Sequence, residues 1–236
     1  MSIFGLKKSQ KNNPHSLAAA GNVGLQIIRA NEGPKDLNEL VHEYAMPHSN
    51  LDDEVRTYRT MNWQNIMRGW KHAKMAYDNK IPTFYGTLWG TVIRNGESLD
   101  LGIISMRVVT TVGVEAIVDA FQNTLELENF KYHALGTGDN AESSADTALE
   151  TELTTEYATN NTRPTGTVGE GATGNIFRTV ATNTLDGSAA VGEHGIFNQA
   201  SNAGGILLDR SVFSVVNLSS GDALQTTYDL TFTAGG

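Results

Sequence analysis

The sequence predicts a mainly β protein: an antiparallel β-sandwich or jelly-roll-like body, preceded by one or two helices and an extended N-terminal arm. Three observations carry that expectation. From Thr83 onward, short runs rich in β-branched and aromatic residues alternate with Gly, Asn, Asp and Ser clusters. The same stretch has almost no helix that could cross between parallel strands, which points to antiparallel pairing. The first 36 residues are broken too densely by Asn12-Asn13-Pro14, Gly21-Asn22, Gly24 and Glu32-Gly33-Pro34 to hold a helix or a long strand. The chain therefore divides into a docking arm over 1–36, a helical segment over 37–82 and an antiparallel β domain over 83–236.

The arm carries short apolar pieces, Ile3-Phe4 and Val23-Gly24-Leu25-Gln26-Ile27-Ile28, too short to make a core of their own. Such a segment takes its order from what it lies on. A first helix is expected from Asp36 to Ala45, where Leu37, Leu40, Val41 and Tyr44 fall at i, i+3, i+4 and i+7, and Pro47 stops it. Ser49 and Asn50 suit the N-cap of a longer helix, and Asp52, Asp53 and Glu54 place negative charge at the positive end of its dipole. Along it Val55, Tyr58, Ile66, Met67, Trp70, Ala73 and Tyr77 fall roughly on one face with Trp63 beside it, until Asp78-Asn79 and Pro82. This stripe has two readings: a face packed on the β body, or an oligomer seam formed by Val55, Tyr58, Trp63, Ile66, Met67, Trp70 and Tyr77.

Within the β domain, Thr83–Arg94 reads as a strand, Asn95-Gly96 as a hairpin turn whose residues both tolerate positive φ, and Leu99–Thr110 as the return strand. One internal helix is expected over 112–122, with Val114, Ile117, Val118 and Phe121 sharing a face. Further strands are expected at Phe130–Leu135, Asn175–Thr184, Ala190–Phe197, Ile206–Leu218 and Ala223–Thr233. The turn Ser219-Ser220-Gly221-Asp222 should close the last two into a hairpin. Residues 139–174 are polar, acidic and rich in Gly and Thr, and so read as a long surface excursion.

Charge and composition narrow the function. The net charge of -9 argues against nucleic acid as a partner, because phosphate binding needs clustered Lys and Arg. Residues 1–80 carry 11 basic and 8 acidic side chains, the remainder 6 and 18, so a basic leading part joins an acidic body. With no cysteine, a disulfide framework, a thiolate metal site and a Cys nucleophile are excluded. No apolar run reaches the roughly 18–20 residues of a membrane helix. The start, Met1-Ser2-Ile3-Phe4-Gly5-Leu6-Lys7-Lys8, lacks a secretory apolar stretch and reads as an uncleaved N-terminus.

No motif carries chemistry. Gly169-Glu170-Gly171-Ala172-Thr173-Gly174 matches G-x-G-x-x-G, but it runs into a strand at Asn175–Val180 where a phosphate site needs a helix N-terminus. None of His15, His42, His48, His72, His133 and His194 pairs as H-x-x-x-H or H-E-x-x-H; His42 and His48, separated by a proline, leave a weak metal reading open, and all six read first as solvated or singly hydrogen-bonded. Asp139, Asn140, Glu142 and Asp146 could gather around calcium, yet lack the alternating EF-hand spacing. An acidic loop is the simpler reading, with Asp146 capping a helical turn through Leu153. There is no G-x-S-x-G, and the matches at Asn160-Asn161-Thr162 and Asn217-Leu218-Ser219 to the N-glycosylation pattern are chance. No cofactor is expected.

From Val108 to the C-terminus a series of motifs occurs in order. Val108-Val109-Thr110-Thr111 precedes Gly113-Val114 and Asp119-Ala120-Phe121-Gln122-Asn123; Phe130-Lys131-Tyr132-His133 leads to Gly136-Thr137-Gly138; Asp146-Thr147-Ala148-Leu149 precedes Glu152. Arg163-Pro164-Thr165-Gly166, Phe177-Arg178-Thr179-Val180, Glu193-His194-Gly195-Ile196-Phe197 and Leu208-Asp209-Arg210-Ser211-Val212-Phe213 follow, closing on Gly221-Asp222 and Tyr228-Asp229-Leu230-Thr231-Phe232. This order resembles a β-rich module of tailed-phage particle proteins, described as tail-fibre, capsid-decoration or virion proteins, and covers a little over half the chain.

The resemblance implies a structural virion protein without an active site. Glu193 is placed to pair with Arg210 on a neighbouring strand, and Trp63, Trp70 and Trp89 lie in core-forming elements rather than in a sugar groove. Arm, helix and β body together fit a capsid decoration (cement) protein on the exterior of a phage head, assembled in the host cytoplasm. It would be a homotrimer, with the major capsid protein as partner and neither nucleic acid nor membrane. Its shell-binding arm would use Ile3, Phe4, Leu6, Lys7, Lys8, Lys11, Leu25, Ile27, Ile28 and Arg29. The alternatives are a tail-fibre, baseplate or neck component, or a host-carbohydrate-binding module.

Overall fold

A computed structural model describes residues 36–107, 109–158 and 160–234. The strand-like pattern resolves into eight strands: β1 (Thr83–Arg94), β2 (Glu97–Arg107), β3 (Tyr132–Gly136), β4 (Thr167–Glu170), β5 (Ile176–Thr184), β6 (Ala189–Phe197), β7 (Leu207–Leu218) and β8 (Ala223–Thr233). They form two sheets, β2-β1-β8-β5-β4 and β3-β6-β7, with every pair antiparallel. The Asn95-Gly96 turn joins β1 to β2 with both residues at positive φ, 51° and 79°, as a two-residue hairpin requires.

The last turn behaves differently from expectation. Ser219–Asp222 does not close a hairpin, because β7 lies in the short sheet while β8 lies in the long one, between β1 and β5. β8 pairs over 11 positions with β1 and 9 with β5, so both its edges are satisfied inside the long sheet. The turn is a corner between sheets, with Gly221 at φ 89° and the Asp222 carboxylate accepting from the Ser219 amide at 2.9 Å.

The sheets meet over one core to which both contribute: Leu88, Leu101 and Tyr228 from the long sheet, Leu135, Ile196 and Phe213 from the short one. A second cluster lies on the other face of β1 and β2, where Tyr85, Trp89, Ile103 and Met106 are covered by helices α1 (Leu37–Tyr44) and α2 (Asp53–Asp78). α1 starts with a full capping box, Asp36 accepting from the Asn38 and Glu39 amides while Glu39 reaches back, so Asp36 belongs to the helix rather than to the arm. Asp52, not Ser49 or Asn50, caps α2 through the Glu54 amide at 2.8 Å.

β2 and β7 are edge strands of different sheets, and α2 lies across both. Buried Asn62 ties them together: its side-chain amide donates to the Ile104 carbonyl at 2.7 Å, and its oxygen accepts from the Ser214 amide at 2.8 Å. Buried Arg59 donates to the Leu101 carbonyl at 2.9 Å, and Arg107 donates to the carbonyls of Asn65 and Val212. An uncovered edge is a template for unwanted pairing, and here polar groups of a helix occupy it. A third helix, α3 (Thr111–Phe121), is capped by Thr110, whose hydroxyl accepts from the Gly113 amide at 3.0 Å. Its expected face is split: Ile117 is buried, whereas Val114, Val118 and Phe121 stand in solvent.

The 139–174 excursion carries β4 at its end; Leu149 packs with Ala134, Phe197 and Leu207 on the outer face of the short sheet, while Leu153 and Tyr157 join the core between the sheets. No helical turn follows Asp146; its carboxylate accepts from the Ser143 amide within the loop. The G-x-G-x-x-G stretch runs from β4 into β5, a link between antiparallel strands. No helix among the described residues is long and apolar enough to cross a membrane.

Candidate functional site

The expected arm residues, Ile3 to Arg29, lie outside the described residues. The expected helix seam is divided by the fold. Val55, Tyr58 and Ile66 are buried within the chain itself and so have no surface to offer a second copy. Trp63 and Met67 are half-buried in the wall of a cleft, Trp70 packs on the cluster beneath α1, and Tyr77 is exposed.

Arginines bind the excursion to the short sheet. Glu193 is wholly buried and, as its strand position suggested, accepts from Arg210 Nε at 2.8 Å. Its other contacts are backbone amides: Gly138 and Thr151 donate to Oε1, and Glu150 to Oε2. Arg210 also reaches Asp146 at 3.0 Å, Glu150 at 3.4 Å and the Asn140 carbonyl at 3.3 Å. Burial alone would lower the Arg210 pKa, but its bonds to Glu193 and Asp146 raise it above the ordinary value. Two of the residues considered for calcium, Asn140 and Asp146, thus surround a guanidinium, and Glu142 contacts Arg107. A second clamp, Arg163, holds Glu152 through two bonds of 2.6 and 2.8 Å and lies 3.5 Å from the Phe197 ring centre.

A polar belt runs between the sheets. His133 on β3 and His194 on β6 are fully buried, with His133 Nδ1 3.0 Å from His194 Nε2; neither is solvated, and the expectation of a solvated or singly bonded ring fails for His133, while His194 has this one bond. His133 also meets the hydroxyls of Thr226 and Thr179 on the opposite sheet at 2.8 and 3.2 Å. Burial holds both rings neutral: it pushes His133 down to about 3, and His194 is pushed well down by burial and by His133. Beside them Asp209 accepts from the Ser211 hydroxyl at 3.0 Å, and burial pushes its carboxyl up to about 6. Asp209 Oδ2 and the Tyr228 hydroxyl converge on the space left by Gly86, where a Cβ would lie 2.8 and 2.9 Å from them. The strand alternation placing His133 and His194 inward was the one sequence signal for this belt.

A cleft of about 900 Å³ lies between α2 and residues 141–144. Trp63, Met67 and Met75 form its apolar wall; Arg68, Lys71 and His72 stand on the same helix, and Arg107 and Arg210 lie beneath. Burial pushes Arg107 down to about 10, with Arg68 adding repulsion; Arg107 and Arg210 have carboxylate partners, so among the described residues the unpaired positive charge of the cleft lies on Arg68 and Lys71. Glu142 is its one carboxylate.

The Ser211–Asp209 pair and the histidine pair are sealed from solvent. Among the described residues no three His, Asp or Glu side chains are grouped to hold a metal ion. His48 Nε2 lies 2.5 Å from the His42 carbonyl oxygen and is engaged locally. Comparison with family models, with curated proteins and with solved structures returned no match.

Proposed function

We propose that the protein is a structural subunit that works by packing against other chains, as a decoration protein on the exterior of a tailed-phage head, without catalytic activity. One observation carries this reading. Among the described residues the His133–His194 and Ser211–Asp209 pairs are buried inside the fold, while apolar side chains are left outside, most of all Phe121 at 86% exposure on a helix anchored to a braced body. Particle identity itself rests on the order of motifs between Val108 and the C-terminus.

In this reading the basic, apolar arm anchors the chain to the major capsid protein, and burial of Ile3, Phe4, Leu6, Leu25, Ile27 and Ile28 provides most of the affinity. Its Lys and Arg side chains set rate and register. Binding assembled shells in preference to free subunits stabilises the assembled state by mass action.

Gold labelling of the chain on purified particles tests the placement. Copies spread over the head surface are expected; copies confined to one vertex assign the chain to tail or neck, and absence from particles removes the reading. Deleting residues 1–35 keeps the Asp36 cap and should leave the body folded while abolishing attachment. Unchanged occupancy would move the anchor to the body.

A further inference from the structure

We infer that the protein self-associates head to tail, with the acidic apolar knob at the C-terminal end of α3 in one copy seated in the basic apolar cleft beside α2 in the next. The knob is apolar at its centre: Phe121 is 86% exposed, Val118 51% and Leu127 37%. Its rim is acidic, with Glu115, Asp119, Glu126 and Glu128 all exposed and none in an ion pair among the described residues. The cleft has the opposite character, an apolar wall of Trp63, Met67 and Met75 beside Arg68, Lys71 and His72. An aromatic side chain buries on the order of 150–250 Å², and methionines adapt their shape to such a guest.

Charge also excludes the symmetric alternatives. Pairing α3 with α3 would set carboxylates against carboxylates, and pairing cleft with cleft would oppose cations. The two surfaces therefore meet heterologously, which closes a ring where the rotation permits and otherwise continues as a chain. One copy can offer both at once. Thr110, the cap of α3, lines the cleft, while Phe121 stands eleven residues further on, about 16 Å along the helix axis. The seam expected along α2 thus becomes one half of an unlike pair, through Trp63 and Met67. The inference does not rest on the particle reading, since it concerns the purified chain alone.

Sedimentation of the full chain at micromolar concentration tests it, with one knob variant, Phe121→Asp, and one cleft variant, Arg68→Glu with Lys71→Glu. Wild type should sediment as an oligomer, and each variant alone as a monomer, its self-association weakened about tenfold or more. An equimolar mixture of the two variants should form dimers and nothing larger, because each supplies the one intact surface that the other lacks. All three side chains are exposed, so the fold should survive; Phe121→Ser and Lys71→Ala are a milder pair that should show the same pattern. A monomeric wild type, a variant that keeps the wild-type oligomer, or a mixture that stays monomeric would each overturn the assignment.

Discussion

α2 and α3 both reach the β body through a glycine, and they differ in what the rest of each helix then does. At Gly69 of α2 a Cβ would overlap the Met106 carbonyl oxygen; at Gly113 of α3 it would lie 2.5 Å from the Leu208 carbonyl oxygen. Around that contact α2 buries Val55, Tyr58, Ile66, Ala73 and Ala76, and with them the polar Arg59 and Asn62. α3 buries only Gly113, Ala116 and Ile117 and leaves its larger apolar side chains outside. The cause is the seat beneath each helix. α2 spans the edges of two sheets, whose free carbonyls and amides must be met by side chains it brings. α3 meets one end of β7, where Thr110 already satisfies the Leu207 and Leu208 carbonyls, so its larger apolar side chains are left exposed.

Substitution at the two glycines should break the comparison most sharply. Gly69→Ala should lift α2 from β2 and cost about 3 kcal/mol or more, read by chemical denaturation, despite the better helix propensity of alanine. A loss below about 1 kcal/mol would mean that α2 is not seated through this residue.

Acidification should come next, and it acts on the body without touching either helix seat. Both histidines have folded pKa values below their ordinary 6.5, so the unfolded chain takes up protons first and stability falls as pH drops from 6.5. Asp209 acts in the opposite sense below about 6, since the folded state holds its proton there and the unfolded chain does not. The net is about one proton, or roughly 1.4 kcal/mol per pH unit between pH 6 and 5. The depressed carboxyls of Asp222 and Glu156 add to the loss only at lower pH. A melting temperature flat from pH 7 to 5 would mean that the imidazoles can be protonated within the fold.

Gly113→Ala should cost about 1 kcal/mol, because the Cβ must displace the Leu208 carbonyl and Val109 while the helix gains propensity. Smallest of all, Phe121→Ser should change the unfolding free energy of the isolated subunit by no more than about 0.5 kcal/mol, since the ring is mostly in solvent. A larger loss would show that α3 packs as closely as α2.

Several features were legible because they depend on neighbours along the chain. β8 occupies the expected Ala223–Thr233, and β5, β6 and β7 start within one residue of expectation, because strand period and turn residues are local. Asn95-Gly96 marked its hairpin because so few residue pairs tolerate positive φ. Glu193 and Arg210 were readable as partners because opposite charges on neighbouring strands can meet across the ladder. β4 was hidden inside the excursion: it is four residues long, exposed throughout and without apolar alternation.

The rest was decided by contacts between residues far apart. Whether β7 and β8 form a hairpin or turn a corner depends on β1 and β5 being ready to receive β8, which no feature of Ser219–Asp222 encodes. The histidine pair joins positions 61 residues apart, and Arg210 reaches back 64 residues to Asp146. Amphipathic spacing specified that α2 and α3 were helices with an apolar side, but not what that side would meet. That followed from the edges and carbonyls of the folded sheets, since a helix buries the face that both fits the space beneath it and satisfies the polar groups there.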